Sequence, residues 1–519
     1  MPLQKKSIKA NNALGLNLLL NRVTLRLADI ILAILVLLGF GLRMVDLTDP
    51  PLDFHPTRQI RGARIARSIF YQLSPSPDPF IQRQALLMRD EGDDLEPPIL
   101  ESVVAFGYLL AGGEYLWISR IITSLVWVLA AIPLFALARR FTSPGAGLLA
   151  VSYYLFLPFG VVASRSFQPD PPMVALLVLG MYATYRWSET RTWYWSVWTA
   201  ATIGFAILAK ALAAYFASGI LLAVVLYTLG YRAALRDRKV WAMAAITVLP
   251  AVVYYLLMIG PSSANVFQKR IVALLPLALE PGFYVRWANI LTGLLGGLAA
   301  LITAFCGVFI AKFRARWLLI GAWAGYALYG ITIAIKTTSH NYYHLFLVPL
   351  VALSIAPVLQ LIARKISLQT RFTQGLFVLV LLAALFFTAW TTRSDMLGVS
   401  YRNEPLFWQR IGAAIPVEGK TIGLVQAYGN MLTYYGWRQV DSWPATADLY
   451  VQGLRGRKIE DFETFFTERT AGMDYFLVTS FNQLNQQPQL ADYLEAHYPV
   501  YSRGDGFIIY DLRKPIANN

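Results

Sequence analysis

The sequence predicts a polytopic α-helical membrane protein of about eleven transmembrane helices, with a soluble α/β domain at its C-terminal end. Three observations predict it. Of the 519 residues, 56% are hydrophobic and only 14% charged, with a mean hydropathy of +0.49, which is too apolar for a soluble chain of this size. Apolar stretches of 17 to 23 residues recur from about Leu27 onward, each long enough to cross a hydrocarbon core of roughly 30 Å. From about Ser394 the composition changes abruptly to mixed polar and apolar.

The first stretch, about Leu27 to Val45, exceeds the apolar core of a cleaved secretory signal and has no small-residue cleavage site after it, so it reads as a retained anchor. Residues 46–114 form a first external loop: a polar segment to about Pro98, then PILESVVAFGYLLAGG, whose apolar part is too short to span and is expected to lie along the membrane surface. Further spans are expected near 115–138, 145–163, 171–187, 193–209, 211–230, 240–260, 287–311, 317–335, 342–363 and 372–391. No internal repeat or broken helix is evident. Cys306 is the one cysteine and lies in an apolar run, which excludes an intrachain disulfide and suggests a buried structural thiol.

A net charge of +15 would suggest nucleic acid in a soluble protein, but its distribution reports topology. With the N-terminus in the cytoplasm, alternate connections collect Arg139/Arg140, Arg186/Arg191, Arg232/Arg236/Arg238/Lys239, Lys312/Arg314/Arg316 and Arg364/Lys365/Arg371. Adding Lys5, Lys6, Lys9, Arg22 and Arg26, the inner side holds about nineteen basic residues, against about six in the short outer loops (Arg165, Lys210, Lys269, Arg270, Arg286, Lys336). This places residues 394–519 outside the cytoplasm. There TIGLV, YFLVTS and GFIIYDL read as strands, and IEDFETFFTER and QLADYLEAHY as helices.

The ionisable residues that are costly near a membrane sort to the outer face: Asp53, His55, Arg58, Glu96, Asp170, Lys210, Lys336, His340 and His344. Asp53 lies in LDFHPTRQ beyond the first span, Glu96 opens EPPIL, and Asp170 ends SRSFQPD at the mouth of a later span. An acid after the first span, an acid-Pro-Pro before an interfacial helix and Arg-x-x-x-x-Asp before a later span resemble, in that order, the C-type glycosyltransferases (GT-C superfamily). The resemblance is closest to the branch of protein mannosyltransferases and lipid A aminoarabinose transferases, and it covers roughly residues 25–350.

The resemblance implies a GT-C-like glycosyltransferase domain over 1–393 and an extracytoplasmic domain over 394–519, in a bacterial or archaeal cell membrane. It implies an inverting enzyme that takes a sugar from a polyprenyl-phosphate donor and passes it to a glycan, lipid or protein acceptor outside. Asp53 then stands where the family has its catalytic base, the alternative being a solvated loop acid. Relatives commonly show His-Pro-Pro where this chain has Glu96-Pro97-Pro98. Glu96 and Asp170 are candidates to hold a divalent cation, Mg²⁺ or Mn²⁺, or the acceptor, the alternative for each being a helix N-terminus.

Lys210 matches a lysine that often follows the fifth span in relatives, and so becomes a donor-phosphate ligand; a snorkelling lysine is the alternative. His340 and His344, four apart and expected on one helix face, join Lys336 as phosphate or sugar contacts, a weak zinc pair, or packed histidines. Arg58, Arg61 and Arg165 are phosphate candidates or surface charge. Tyr284, Trp287, Tyr342 and Tyr343 suit a sugar ring or the interfacial aromatic belt. Two other functions fit so many spans: a transporter or flippase, whose repeated halves and mid-membrane charges are not evident here, and a non-catalytic glycan-binding relative.

Overall fold

A computed structural model describes residues 25–89, 96–258, 272–456 and 461–516; Lys5, Lys6, Lys9, Arg22, Lys269 and Arg270 lie outside the described residues. The membrane half runs α1 (Leu25–Arg43), α2 (Pro56–Leu73), α3 (Pro79–Leu87), α4 (Ile99–Ala111), α5 (Trp117–Phe141), α6 (Pro144–Phe156), α7 (Pro158–Ser164), α8 (Asp170–Thr190), α9 (Trp193–Ala209), α10 (Ala213–Leu229), α11 (Arg238–Val252), α12 (Pro281–Leu294), α13 (Gly297–Ile310), α14 (Phe313–Thr332), α15 (Leu347–Ser367) and α16 (Arg371–Leu397). The helix ends follow local chemistry. Ser143, Thr192, Asp237 and Thr370 cap α6, α9, α11 and α16 by accepting backbone N–H groups, and proline opens α2, α3, α6, α8 and α12.

A helix stands at each expected span, but fewer meet a test of length and apolarity. Among the described residues five helices do, and up to seven if each of two bent pairs is one span; α9 and α10 are apolar but only 17 residues long. The bends correct the expectation of unbroken helices. α6 and α7 meet at 59°, where Pro158 follows Leu157, and α12 and α13 meet at 96°. At the second break Gly296 and Gly297 both take φ of +86°, a left-handed backbone open to glycine at little cost, so the stretch near 287–311 is not one straight span. Cys306 is exposed on α13 instead of buried, because a bundle in lipid can turn apolar side chains outward.

Helices α10 and α14 pack backbone to backbone. A Cβ on Gly219 would run into the carbonyl of Gly321, one on Gly321 into that of Gly219, and one on Gly325 into that of Tyr215. Small residues spaced four apart let the backbones meet, as is common where lipid supplies no hydrophobic drive between helices.

Beyond α16 come α17 (Glu404–Ala414), β1 (Thr421–Leu424), α18 (Asn430–Gly436), β2 (Asp441–Ser442), α19 (Thr446–Leu454), α20 (Phe462–Thr470), β3 (Tyr475–Val478), α21 (Pro488–His497), β4 (Val500–Gly504) and β5 (Phe507–Asp511). The sheet order is β2-β1-β3-β5-β4. β1 pairs parallel with β2 and β3, with Ile422 beside Phe476, whereas β5 pairs antiparallel with β3 and β4. β1 and β3 are buried throughout, as suits strands covered on both faces.

One face (Ile422, Phe476, Val478) packs on Trp443, Phe466 and Leu494. The other (Tyr475, Leu477, Ile509) joins Trp408 and Leu432 in a cluster that continues into Ile60, Ala63, Leu100 and Val104 of α2 and α4. The sheet is thereby seated on α2 and α4, in the segment between α1 and α5.

Candidate active site

Two groups of polar side chains meet on the segment between α1 and α2. The first surrounds Asp53. Buried Arg120, in the first turn of α5, places Nη2 3.0 Å from Asp53 Oδ1, and Gln59 Nε2 donates to the same oxygen at 3.3 Å. Oδ2 faces Arg165 Nε at 3.8 Å, longer than a hydrogen bond. The carboxylate is 24% exposed, so it is held in place yet reachable. Arg165 donates to the carbonyls of Val45 (2.6 Å) and Asp46 (3.2 Å). This sets it beside Asp53, apart from the other phosphate candidates.

The second group is built on α8, the end of α9 and the turn before α15. Lys210 Nζ donates to both oxygens of Asp170, each at 2.8 Å, and both side chains are buried. Lys210 therefore does not snorkel, and Asp170, the first residue of α8, makes no cap hydrogen bond. The ammonium lies 5.2 Å from the ring centres of Tyr342 and Tyr343, and the Arg58 guanidinium 5.6 Å from that of Tyr342. Arg58 pairs with Glu96 at 3.7 Å. Burial pushes the Glu96 carboxyl up, but Arg58, with Lys210 and Arg61, outweighs it and holds it below the usual carboxylate range. Glu101, beside Glu96 in a crevice with Arg58 and Arg61, is pushed up to about 7 by burial.

His55 joins the two groups. It takes a left-handed φ of +51° at the N-cap of α2 and shares a 2.6 Å hydrogen bond, Nε2 to Oδ1, with Asn341. Its ring stacks on His340 at 5.9 Å and meets Tyr342 edge-on at 4.7 Å. Burial lowers both histidines, His340 to about 4 with help from the nearby Lys336 charge. At neutral pH they are therefore uncharged, and the positive charge here belongs to lysine and arginine.

His344 departs from the expected shared face. Residues 341–344 form a 3-10 turn ahead of α15, and His344 is buried, with Nδ1 2.7 Å from Tyr326 Oη and Nε2 2.8 Å from the Thr337 carbonyl. His340 instead faces His55. Tyr342 and Tyr343 belong to the site, whereas Tyr284 and Trp287 line an apolar groove on α12.

The residues present do not fit the expected divalent cation. Asp170 spends both oxygens on Lys210 and Glu96 faces Arg58. No group of three or more His, Cys, Asp or Glu able to hold a metal occurs among the described residues. Sequence reasoning missed Arg120, Gln59 and Asn341. The signal for Arg120 was available, a charge in the first turn of an apolar helix.

Residues 95–257 match the model of the dolichyl-phosphate-mannose-protein mannosyltransferase family. No curated protein matches the chain in sequence. Among solved structures, ArnT from Cupriavidus metallidurans bound to undecaprenyl phosphate aligns over 93% of this chain and 97% of its own, with 16% identity and a TM-score of 0.54. The archaeal oligosaccharyltransferase AglB from Archaeoglobus fulgidus, in complex with an inhibitory peptide and a dolichol-phosphate, aligns over 93% of this chain and 74% of its own, with 14% identity and a TM-score of 0.58. The AglB complex with Zn and sulfate gives 13% identity, the same 93% of this chain, 73% of its own and a TM-score of 0.57. Over 93% of its length, then, the chain has the fold of these membrane glycosyltransferases, and the mannosyltransferase family model matches it from just before α4 to just past α11.

Proposed function

We propose that the protein is an inverting glycosyltransferase that moves a sugar from a polyprenyl-phosphate to a hydroxyl acceptor at the outer face of a bacterial or archaeal membrane. This reading keeps eleven spans, a cytoplasmic N-terminus, a membrane domain over 1–393 and an extracytoplasmic domain over 394–519. The observation that carries it is the pairing, across one short segment, of a held but reachable carboxylate at Asp53 with the cation and tyrosine cluster of Lys210, Arg58, Tyr342 and Tyr343. The undecaprenyl phosphate of ArnT and the dolichol-phosphate of AglB support it by analogy of fold.

The chemistry follows from the geometry. The acceptor oxygen attacks the anomeric carbon while its proton passes to Asp53 Oδ2, the oxygen without a close donor. The bond from the anomeric carbon to the phosphate oxygen breaks, and the lipid phosphate leaves with the electron pair. Lys210 and Arg58 stabilise that growing charge, their positions set beforehand by Asp170 and Glu96. A single displacement inverts the anomeric centre.

An apolar groove of about 510 Å³ between α12, α13 and α14, lined by Trp287, Phe305 and Trp323, suits the prenyl chain. Trp287 Nε1 donates to Tyr326 Oη at 2.8 Å and Tyr326 meets His344, so the groove is tied to the turn that carries His340. His344 is thus a positioning residue.

The test is native mass spectrometry of the detergent-purified protein with a panel of polyprenyl-phosphate sugars. Wild type should retain one of them and Asp170→Asn/Lys210→Met should lose it, with the pair replaced together so that no charge is left buried alone. A wild type that holds none sinks the proposal.

A further inference from the structure

We propose that the cleft between the Asp53 segment and the carboxyl ends of β1 and β3 is the acceptor subsite, and that it takes a neutral, hydroxyl-rich glycan. The proposal rests on the glycosyltransferase reading and names the second substrate of that site.

The cleft measures about 520 Å³, within the range of roughly 300–1,000 Å³ typical of small-molecule sites. One wall is Leu52, Pro56 and Thr57, which bracket Asp53 in the chain. The facing wall is Gln426 and Ala427, just after β1, with Thr479 and Phe481, just after β3. These strands are parallel neighbours, yet the chain leaves β1 toward β2 on one side of the sheet and β3 toward β4 and β5 on the other. Connections that diverge this way open a crevice at the strand ends, the usual place for ligands on a parallel sheet. Here the first external loop closes the crevice, so a molecule held by the sheet lies against the segment that carries the base.

The lining selects the ligand chemistry. Among the described residues it includes no lysine or arginine, and its one charged residue is Glu404, an acid whose Oε2 accepts from Trp408 Nε1 at 3.1 Å. Phosphorylated or carboxylated acceptors are therefore disfavoured. Tyr401, Phe407 and Phe481 supply flat apolar faces. Gln426 is locked by donating Nε2 to the Thr479 carbonyl at 3.0 Å and by accepting the Thr479 hydroxyl. Aromatic faces with a few fixed amides and hydroxyls suit a sugar ring, which has apolar C–H faces and polar edges. The next two residues, Ala427 and Tyr428, hold left-handed φ of 51° and 56°, strain of the kind found where a loop is shaped for a ligand.

The experiment passes the full-length protein in detergent over arrayed neutral oligosaccharides, anionic oligosaccharides and peptides, and measures polyprenyl-phosphate sugar binding in parallel by native mass spectrometry. Wild type should retain neutral oligosaccharides. Gln426→Ala/Phe481→Ala should bind them at least about tenfold more weakly, a loss of about 1.4 kcal/mol, with donor binding unchanged. Should that variant fail to fold, Thr57→Trp fills the cleft from the opposite wall and should give the same loss. Equal retention by the variants, preference for anionic glycans or peptides, or donor binding without any retained glycan overturns the acceptor assignment alone. Failure to hold any donor overturns the glycosyltransferase reading with it.

Discussion

Four backbone carbonyls and the carboxylate of the proposed base converge on a single guanidinium. Arg120 donates Nη1 to the carbonyls of Asp46 (3.0 Å), Leu47 (3.3 Å) and Asp49 (2.8 Å), and Nη2 to that of Pro50 at 3.4 Å, while Nη2 also faces Asp53. This separates the two residues experimentally. Asp53→Asn keeps the shape of the site and leaves Arg120 its carbonyls, so the thermal midpoint and donor binding should hold while turnover falls by about 10²- to 10⁴-fold, the range for general-base catalysis. Near-normal turnover would remove Asp53 from the mechanism. Arg120→Ala orphans several carbonyls, each costing about 1–3 kcal/mol when buried, so midpoint and turnover should fall together. The histidines give a pH test. His340 is held at about 4 in the folded chain, below its ordinary value of 6.5, so between those values the unfolded chain binds the proton more readily. Its contribution to stability is therefore present above pH 6.5 and is lost as the pH falls toward 4. Melting followed from pH 7.5 to 4.5 should show a shallower loss for His340→Gln than for wild type. Equal slopes would mean that His340 titrates normally.

At the scale of elements, the α10–α14 seam bears on where Lys210 sits, because Lys210 lies in the short turn between α9 and α10, and α14 leads toward the turn bearing Lys336 and His340. Gly321→Val drives a branched side chain into the backbone of α10. Overpacking of this kind costs about 1–3 kcal/mol, so the midpoint and donor binding should both drop. Gly293→Ala on α12, where an added Cβ meets nothing within 4 Å, is the control and should change neither. This seam went unread in the sequence, although GAWAG over 321–325 carries it, whereas Thr421–Leu424, Tyr475–Val478 and Phe507–Asp511 were readable as strands from their apolar runs between turn residues. What escaped was direction. Hydropathy is the same for a straight span and for two helices bent by 96°, so LLGGLA read as continuous although its glycine pair makes the bend. The spacing of His340 and His344 suggested one helical face, whereas the chain there is a turn that sends one ring to His55 and the other into the core. Asp53, Lys210 and Asp170 were readable as costly residues on one face; their partners were not, since Lys210 and Asp170 are 40 residues apart and only packing joins them.

For the molecule as a whole, the sheet is seated on α2 and α4, so the C-terminal domain forms part of the surroundings of the candidate site. Arg67 of α2 lies between the rings of Tyr434 and Trp437, at 3.6 and 4.2 Å from their centres, and donates to Glu114 at 2.9 Å; Tyr434 Oη also donates to Glu114. Arg64 donates to Asn430 Oδ1 at 2.7 Å. Asp49 accepts the Tyr401 N–H at 3.0 Å, and Arg402 pairs with Asp46. Beneath these bonds one apolar cluster runs from Ile60 and Val104 through Trp408 and Leu432 to Leu477 and Ile509. A chain ended after α16 would lay the outer faces of α2 and α4 open to water, and apolar area costs about 25 cal/mol per Å² when exposed. Residues 1–398 produced alone should therefore aggregate or elute as mixed oligomers in detergent, whereas Arg67→Ala in the full chain should stay monodisperse yet be cleaved faster between α16 and β1 under limited proteolysis. A monodisperse truncated protein that still binds the donor would show that the membrane half holds its loop without the sheet. The cleft beside Asp53 would then have only one necessary wall.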